Sequence, residues 1–318
     1  MATRRGLLTA AAALLSGCMP GAEAGALSRP LDLPAWPSGG PLRLLGGLEI
    51  DTRVLGFGGL SALHLAEDLT LTAVSDLGRF AEMRLALDAG LRPTALSLIR
   101  TGPLRDGAGR PLERGHAGDA ESLARLPDGS WLVGFERWHR IRAYRTLTSP
   151  GTYVEAPPRL ELAPANAGLE SLAVLPDGRL VAIAEEFPPG LDPGITAAWI
   201  GRPGAWRPIA YRPGAGLLPV DAAALPDGAL LVLERSFSIF GGFSGRLARV
   251  PAAMLADPAI GAVLQGEELL RLASPLPSDN YEGLAVLRRD GRTLLAIISD
   301  DNENRLQRTL LLVFELLA

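Results

Sequence analysis

The stretch that indicates the fold is Glu121-Ser122-Leu123-Ala124-Arg125-Leu126-Pro127-Asp128-Gly129, followed by the apolar run Trp131–Phe135. The pattern returns, with changes, as ESLAVLPDG at 170–178, DAAALPDG at 221–228, EGLAVL at 282–287 with Asp290-Gly291 behind it, and a fainter GGLSAL at 58–63. Asp-Gly between two apolar runs favours a β-hairpin, because glycine accepts the positive φ of a tight turn. Each copy therefore predicts one hairpin of a repeat-built fold.

The spacing of the copies indicates the kind of repeat. Neighbouring copies begin roughly 50 to 60 residues apart, which suits the four strands of a propeller blade. We predict an all-β chain that folds as a β-propeller of four-stranded antiparallel blades, with six blades as the first choice and five or seven as alternatives. The segments Leu42–Ile50 and Thr309–Leu316 are expected to close the ring by sharing a blade.

Acidic residues recur at the end of each hairpin away from its turn. If the turn has two residues, Glu121 faces Glu136, Glu170 faces Glu185 and Asp221 faces Glu234, while Glu282 lies near Asp300. Like charges opposite each other destabilise a sheet, so they need an arginine, a bound cation or a shared proton. Equivalent ends of the hairpins meet at one mouth of a propeller, where carboxylate oxygens suit Ca²⁺, or alternatively Mg²⁺. The competing interpretation is a set of solvated strand ends.

These patterns select the candidate site residues. The candidate catalytic residues are Glu121, Glu136, Glu170, Glu185, Glu282 and His139. The candidate metal ligands are Glu121, Glu170, Asp221, Glu234, Glu282 and Asp300. Arginine binds carboxylate and phosphate with two parallel hydrogen bonds, so the candidates for binding an anionic substrate are Arg137, Arg235 and Arg308.

Composition limits the partners. The chain has 318 residues, of which 31 are basic, all of them Arg, and 35 are acidic, for a net charge of -4. Binding to a phosphate backbone needs a concentrated positive surface, and no dense basic run is present. We therefore expect a small, anionic molecule as the partner, and no nucleic acid.

The first 17 residues are typical of an export signal. Arg4-Arg5 precede an apolar run, Leu7–Leu15, that is too short to span a membrane as a helix and looks like a twin-arginine signal. Leu15-Ser16-Gly17-Cys18 resembles a lipobox, in which Cys18 is lipidated. The alternative is cleavage after Ala22-Glu23-Ala24, which would remove Cys18.

This segment also predicts the location and the domain boundaries. Residues 18–41 are rich in Pro, Gly and Ala and are expected to tether a propeller domain of residues 42–318. The expected location is the bacterial periplasm or cell envelope. Contact with a membrane is expected only through a lipid anchor at Cys18.

Several motifs together resemble one family over residues 42–317. They are Gly59-Leu60-Ser61, Ser75-Asp76, Asp119-Ala120-Glu121-Ser122-Leu123, Phe135-Glu136-Arg137, Gly168-Leu169-Glu170-Ser171-Leu172, Glu234-Arg235-Ser236-Phe237, Asp279-Asn280-Tyr281-Glu282-Gly283-Leu284 and the run Ser299–Asn304 with Gln307-Arg308-Thr309. The set resembles the bacterial phytase-like domain family, labelled "esterase-like activity of phytase". The resemblance implies a phosphodiesterase- or phosphatase-like activity.

Three functions remain open at this point. The first is a metal-dependent hydrolase of phosphate esters, the second a gluconolactonase-like lactonase or esterase, and the third a non-catalytic propeller that binds a ligand or a protein. Fold alone does not choose among them. Converging carboxylates with arginine nearby favour the first, converging carboxylates without arginine favour the second, and scattered, solvated carboxylates favour the third.

Overall fold

The structure is a computed structural model that describes residues 26–37, 39–238, 240–304 and 306–317. The predicted export signal and Cys18 lie outside these ranges. Within them, the chain forms five sheets arranged as the blades of a propeller. The described helices are short turns, Thr52–Leu55 (α1), Ala252–Ala256 (α2) and the 3₁₀ turn Leu160–Leu162, and none of them has the length to cross a membrane.

The strands follow the chain around the ring. Two strands come first, β1 (Ser28–Pro30) and β2 (Leu42–Ile50). The first blade comprises β3 (Leu60–Leu65), β4 (Thr70–Ser75), β5 (Arg79–Leu87) and β6 (Pro93–Pro103). The second comprises β7 (Ala120–Arg125), β8 (Trp131–Phe135), β9 (Arg140–Tyr144) and β10 (Thr152–Val154).

The third to fifth blades continue the same order. The third comprises β11 (Leu169–Val174), β12 (Leu180–Ala184), β13 (Thr196–Arg202) and β14 (Ala205–Arg212). The fourth comprises β15 (Leu218–Ala224), β16 (Leu230–Ser238), β17 (Gly242–Val250) and β19 (Glu267–Leu272), while β18 (Val263–Gln265) adds to the edge of the third in parallel with β14. The fifth begins with β20 (Asn280–Arg289), β21 (Arg292–Asp300) and β22 (Thr309–Leu316).

The propeller fold is confirmed, and its blade count is five rather than the preferred six. The strands β1 and β2 join β22, β21 and β20 in one sheet. Leu48 of β2 pairs with Leu311 of β22, so the two ends of the chain share a blade as expected. The terminal segments therefore complete the blade of the fourth copy instead of forming a sixth.

The folded domain begins before the predicted boundary at residue 42. Leu27 is buried, and Ser28 pairs with Ile50 across the edge of the fifth blade. Trp36 donates a hydrogen bond from its indole nitrogen to the carbonyl of Leu42 at 3.0 Å. Because apolar side chains leave water here, residues 27–37 belong to the propeller and not to a tether.

Apolar packing between neighbouring blades holds the ring together. Leu48, Leu311 and Val313 of the fifth blade are fully buried in one cluster with Leu60 and Leu71 of the first. Full burial of one such side chain is worth about 1.5–3 kcal/mol. Apolar packing therefore stabilises the contact between the fifth and first blades, where the ring closes, as it does between other neighbouring blades.

Candidate functional site at the channel mouth

A β-bulge occurs at the same place in the innermost strand of every described blade. The ladder with the next strand skips one residue there. The skipped residues are Ser61, Glu121, Glu170, Val220 and Glu282. A bulge bends the strand and re-aims the side chain of the extra residue. Three of the five positions thus present a glutamate at one mouth of the channel.

The predicted facing pairs are wrong, because both the turn and the bulge change the register. In the second blade Leu126 and Ser130 flank a three-residue loop, since the Leu126 N–H donates to the Ser130 carbonyl at 2.9 Å. The N–H of Glu136 consequently donates to the carbonyl of Asp119 and not of Glu121. Asp290-Gly291 does form a two-residue turn, with Arg289 paired to Arg292.

The carboxylates nevertheless converge. One oxygen each of Asp119, Glu121 and Glu136 lie within 4.8 Å of one another, and so do oxygens of Glu136, Glu170 and Glu185. Glu136 belongs to both groups, so the second and third blades share one acidic cluster. We call this cluster, together with Asp76, Glu282 and Asp300 beside it, the acidic mouth.

Burial and mutual repulsion favour protonated carboxyl groups in the acidic mouth. Burial raises the pKa of Glu121 and of Glu170 well above its usual range, and neighbouring carboxylates raise it further. Burial also raises the pKa of Asp76 to about 7, with a smaller contribution from Asp119. The pKa of Glu185 rises to about 7 for the same first reason, although Arg235 opposes the rise. A bound cation would offset the repulsion between the carboxylates and so lower these pKa values again.

Arg235 is the contribution of the fourth blade to the acidic mouth. Three other blades carry a glutamate at the bulge, but this blade has Val220, and the guanidinium of Arg235 from the next strand reaches the site instead. Its Nη2 lies 3.1 Å from Glu282 Oε1 and 3.5 Å from Glu185 Oε1. Its Nε is buried and has no hydrogen-bond partner among the described residues. A second arginine, Arg137, forms an ion pair with Asp119 through its own Nε.

Two predicted metal ligands, Asp221 and Glu234, lie outside the acidic mouth. Asp221 follows the bulge, pairs with Leu233 and accepts hydrogen bonds from the N–H groups of Ala222 at 2.8 Å and Leu284 at 2.7 Å. It therefore joins the fourth blade to the fifth. Asp221 was predicted as a ligand because the repeats were aligned one residue out of register. It occupies the place of Ser122 in the second blade and not that of Glu121.

Glu234 is fully buried on the outer side of the same hairpin. It forms an ion pair with Arg246 at 2.6 Å and accepts the N–H of Gly214 at 3.0 Å and the hydroxyl of Tyr211. These three groups neutralise or hydrogen-bond the Glu234 carboxylate within the protein. Its role in the structure is to hold the third and fourth blades together.

His139 and Glu136 lie against Gly168, where the third blade begins. The Nε2 of His139 donates to the carbonyls of Pro164 at 3.0 Å and Ala163 at 3.1 Å. The Gly168 N–H donates to Glu136 Oε1 at 2.9 Å. The His139 Nδ1 is buried and unpartnered among the described residues. Neutral His139 thus has its proton on Nε2 and a free acceptor at Nδ1.

Replacing Gly168 with Ala should disturb the acidic mouth without unfolding the blade. A Cβ at this position would lie 2.4 Å from His139 Nδ1 and 3.0 Å from Glu136 Cγ, so both side chains must move. For the hydrolase activity proposed below, we expect a fall of about tenfold to 100-fold, because small displacements of catalytic groups are costly. The matched control is Gly190→Ala, where a Cβ meets nothing within 4 Å. Equal activity of the two variants would show that the packing of His139 and Glu136 against Gly168 does not matter for the acidic mouth.

Arg308 lies apart from the acidic mouth, in a cleft beside the fifth blade. This cleft has a volume of about 1050 Å³ and is also lined by Asp301, Asn304 and Ala26. The Arg308 guanidinium lies 3.9 Å from both Glu49 and Asp279.

Two members of the acidic mouth were missed as candidate ligands. Asp119 is 4% exposed and lies two residues before the bulge of the second blade. Asp76 follows the second strand of the first blade, in the place that Glu136 holds in the second. Both lie within motifs quoted above, and the three-residue turn together with the bulge at Glu121 places Asp119 opposite Glu136.

The fold and the acidic mouth define a propeller with a carboxylate-rich site, and the sequence comparison assigns its family. Residues 55–303 match the family model described as phytase-like, esterase-like activity of phytase. The match covers most of the chain, and this protein belongs to that family. A search of curated protein sequences found no match.

Solved structures resemble the chain at low identity. An endo-arabinase from Bacteroides thetaiotaomicron is 13% identical, with 80% of this chain and 93% of that one covered and a TM-score of 0.49. A gluconolactonase from Xanthomonas campestris is 13% identical, with 89% and 98% covered and a TM-score of 0.42. A PQQ-bound aldose sugar dehydrogenase from Streptomyces coelicolor is 14% identical, with 88% and 100% covered and a TM-score of 0.45. At these scores we draw nothing about function from the likenesses.

Proposed function

We propose that this protein is an exported, metal-dependent hydrolase of phosphate esters whose active site is the acidic mouth. The observation that carries the proposal is the convergence of buried carboxylates with Arg235 among them. Carboxylates alone would suit a metal site for neutral substrates such as lactones. The added guanidinium supplies a binding group for an anion.

The donor set fits a hard divalent cation. Glu121 and Asp119 with Glu136, or Glu136 with Glu170 and Glu185, offer carboxylate oxygens close enough to bind one ion. Such ligands suit Ca²⁺ or Mg²⁺. When bound, the cation would polarise a phosphoryl oxygen or lower the pKa of a water molecule.

The side chains of the chain supply the remaining chemistry. Arg235 is 25% exposed on its side chain, so the exposed part of its guanidinium can bind a phosphoryl oxygen that enters the mouth. With the cation held by Asp119, Glu121 and Glu136, Glu185 stays free of the metal. Its pKa, raised to about 7 in the metal-free site, suits a group that exchanges a proton near neutral pH, as an acid or base catalyst must. His139 keeps Nδ1 as a free acceptor near Glu136 and can accept a proton there.

The test is hydrolysis of p-nitrophenyl phosphate and bis(p-nitrophenyl) phosphate with Ca²⁺ or Mg²⁺, against EDTA. We expect cation-dependent release of nitrophenol and a loss of about 100-fold or more in kcat for Glu170→Gln. Asp177→Asn in the same hairpin is the control, because Asp177 caps the turn at the opposite end and should leave the rate unchanged. Turnover insensitive to EDTA, or turnover of a lactone and of neither phosphate ester, would refute the proposal.

Replacing Arg235 with Gln should weaken substrate binding. Hydrogen bonds to a charged group are worth about 1.5–3 kcal/mol, so kcat/KM for a phosphate ester should fall about 10- to 100-fold, mainly through KM. Arg249→Gln is the control, because Arg249 pairs with Asp227 at the turn of the same blade. If KM is the same in both variants, Arg235 does not bind the anion.

The proposal includes a location. The twin-arginine-like signal and the lipobox at Cys18 support export to the periplasm or cell envelope with a lipid on Cys18. Mass spectrometry of the chain purified from bacterial membranes tests this directly. A mature protein that starts after Ala24 would refute the anchor and leave export standing.

A further inference from the structure

The mouth face of the propeller carries large apolar side chains at the tips of its loops. Leu191 is 103% exposed, Phe240 is 102% exposed and Leu306 is 91% exposed. They belong to the loops that follow β12, β16 and β21, in three successive blades. All three strands run toward the acidic mouth, so these tips surround it. Apolar side chains that are fully exposed at loop tips on one face can each enter the interface of a lipid bilayer.

The turns at the opposite ends of the inner hairpins have a different character. They are polar and are centred on Asp68, Asp128, Asp177, Asp227 and Asp290. Their carboxylates cap the turns or pair with nearby arginines, as Asp227 does with Arg249. The turns of the inner hairpins are therefore polar, whereas the loops at the mouth end of three blades carry Leu191, Phe240 and Leu306.

The N-terminal segment leaves the propeller at the same face. Ala26 lines the cleft next to Asp301 and Asn304, and Ser28 pairs with Ile50 at the mouth end of β2. Cys18 precedes Ala26 by 8 residues. A fully extended chain spans at most about 3.6 Å per residue, so a lipid on Cys18 lies within about 29 Å of Ala26.

This distance limits which face can approach a membrane. The strand β2 has 9 residues, and at about 3.4 Å per residue it is roughly 30 Å long. The greatest length of the 8-residue segment, about 29 Å, is thus about equal to the height of one blade, roughly 30 Å. A lipid anchor at Cys18 therefore keeps the mouth face closer to a bilayer than the opposite face.

We propose that the mouth face is a membrane-docking surface, which the Cys18 anchor and the apolar loop tips together hold against a lipid bilayer. A lipid at the end of a tether attaches the chain to the bilayer but does not fix which face of the propeller meets it, so a second contact is needed to orient the domain. The tips of Leu191, Phe240 and Leu306 supply it by entering the headgroup region. The acidic mouth then faces phosphate groups at the membrane surface. The inference rests on the proposed lipidation of Cys18 and is independent of the hydrolase activity.

The orientation can be measured on the full chain, bound through its own lipid to vesicles of phosphatidylcholine and phosphatidylglycerol. The described residues contain no cysteine, so Phe240→Cys and Asp177→Cys each create one site for an environment-sensitive fluorophore. We expect spin-labelled lipids to quench the label at 240 at least threefold more than the label at 177. Equal quenching, or stronger quenching at 177, would overturn the inference.

A second variant separates docking from anchoring. Leu191→Ser with Leu306→Ser changes side chains that are exposed, so the fold should be kept. It should lower quenching of the label at 240 at least twofold, while hydrolysis of a soluble phosphate ester stays unchanged. If the label at 240 is not quenched by spin-labelled lipids and stays exposed to water on vesicles of lipid alone, the inference is overturned and a protein partner is favoured. Absence of a lipid on Cys18 would also overturn it, whatever the activity.

Discussion

Replacing Glu234 with Ala is expected to lower the free energy of unfolding by about 3–5 kcal/mol, because it leaves a buried charge without its partner. Glu234 is fully buried, and its ion pair with Arg246 leaves that side chain only 15% exposed. The variant also leaves the Tyr211 hydroxyl and the Gly214 N–H without an acceptor. Urea unfolding followed by tryptophan fluorescence measures the loss.

The control for this prediction is another Glu–Arg pair in the same blade. Glu268 and Arg271 form an ion pair at 2.7 Å, but their side chains are 35% and 70% exposed. Exposed pairs contribute about 0–1 kcal/mol, so Glu268→Ala should change stability little. A loss below about 1 kcal/mol for Glu234→Ala, no larger than that of the control, would show that Glu234 is not a structural residue.

The cation-free protein should become less stable as the pH rises from about 5 to about 8. Carboxyl groups whose folded pKa is raised keep their protons in the folded state longer than in the unfolded state. Their contribution to stability is complete below an unfolded pKa of about 4 and is lost as the pH passes the folded pKa. Asp76 and Glu185 reach about 7, and Glu121 and Glu170 are raised well above their usual range. Melting temperatures in EDTA across this range measure the effect.

Calcium should reverse this decline at pH 8, because a bound cation neutralises the carboxylates that repel one another. Glu170→Gln removes one of them, so this variant should melt higher than the wild type in EDTA and gain less from Ca²⁺. Asp177→Asn should behave like the wild type in both conditions. A melting temperature in EDTA that stays level from pH 5 to 8, or an equal calcium response in Glu170→Gln, would count against a cation site in the acidic mouth.

Much of the fold was predictable because hairpins are local structures. The Asp-Gly turns and their apolar flanks lie within about 15 residues of each other, and their period indicated a propeller. The blade count was not predictable in this way. It depends on whether β2 and β22, from opposite ends of the chain, pair with β21, and such pairing is a property of the closed ring.

The candidate site shows the same division. The repeated acidic positions Glu121, Glu170 and Glu282 were visible in the sequence, and so was Arg235. Which carboxylates meet was misjudged, because the three-residue turns shift the register by one residue and the bulges shift it again. Since side chains alternate between the faces of a strand, each shift reverses what a residue faces.

What the sequence by itself determined is therefore the type of repeat, the family and the end of the blades that carries acidic residues. The tertiary structure decided that Asp221 and Glu234 are bonded within and between blades, whereas Asp119 joins Glu121 and Glu136 at the mouth. The physical reason is that the groups around a buried carboxylate decide whether it has a structural role or belongs to a site. Asp221 meets a backbone N–H of the next blade and Glu234 meets an arginine, but the carboxylates of the acidic mouth meet one another.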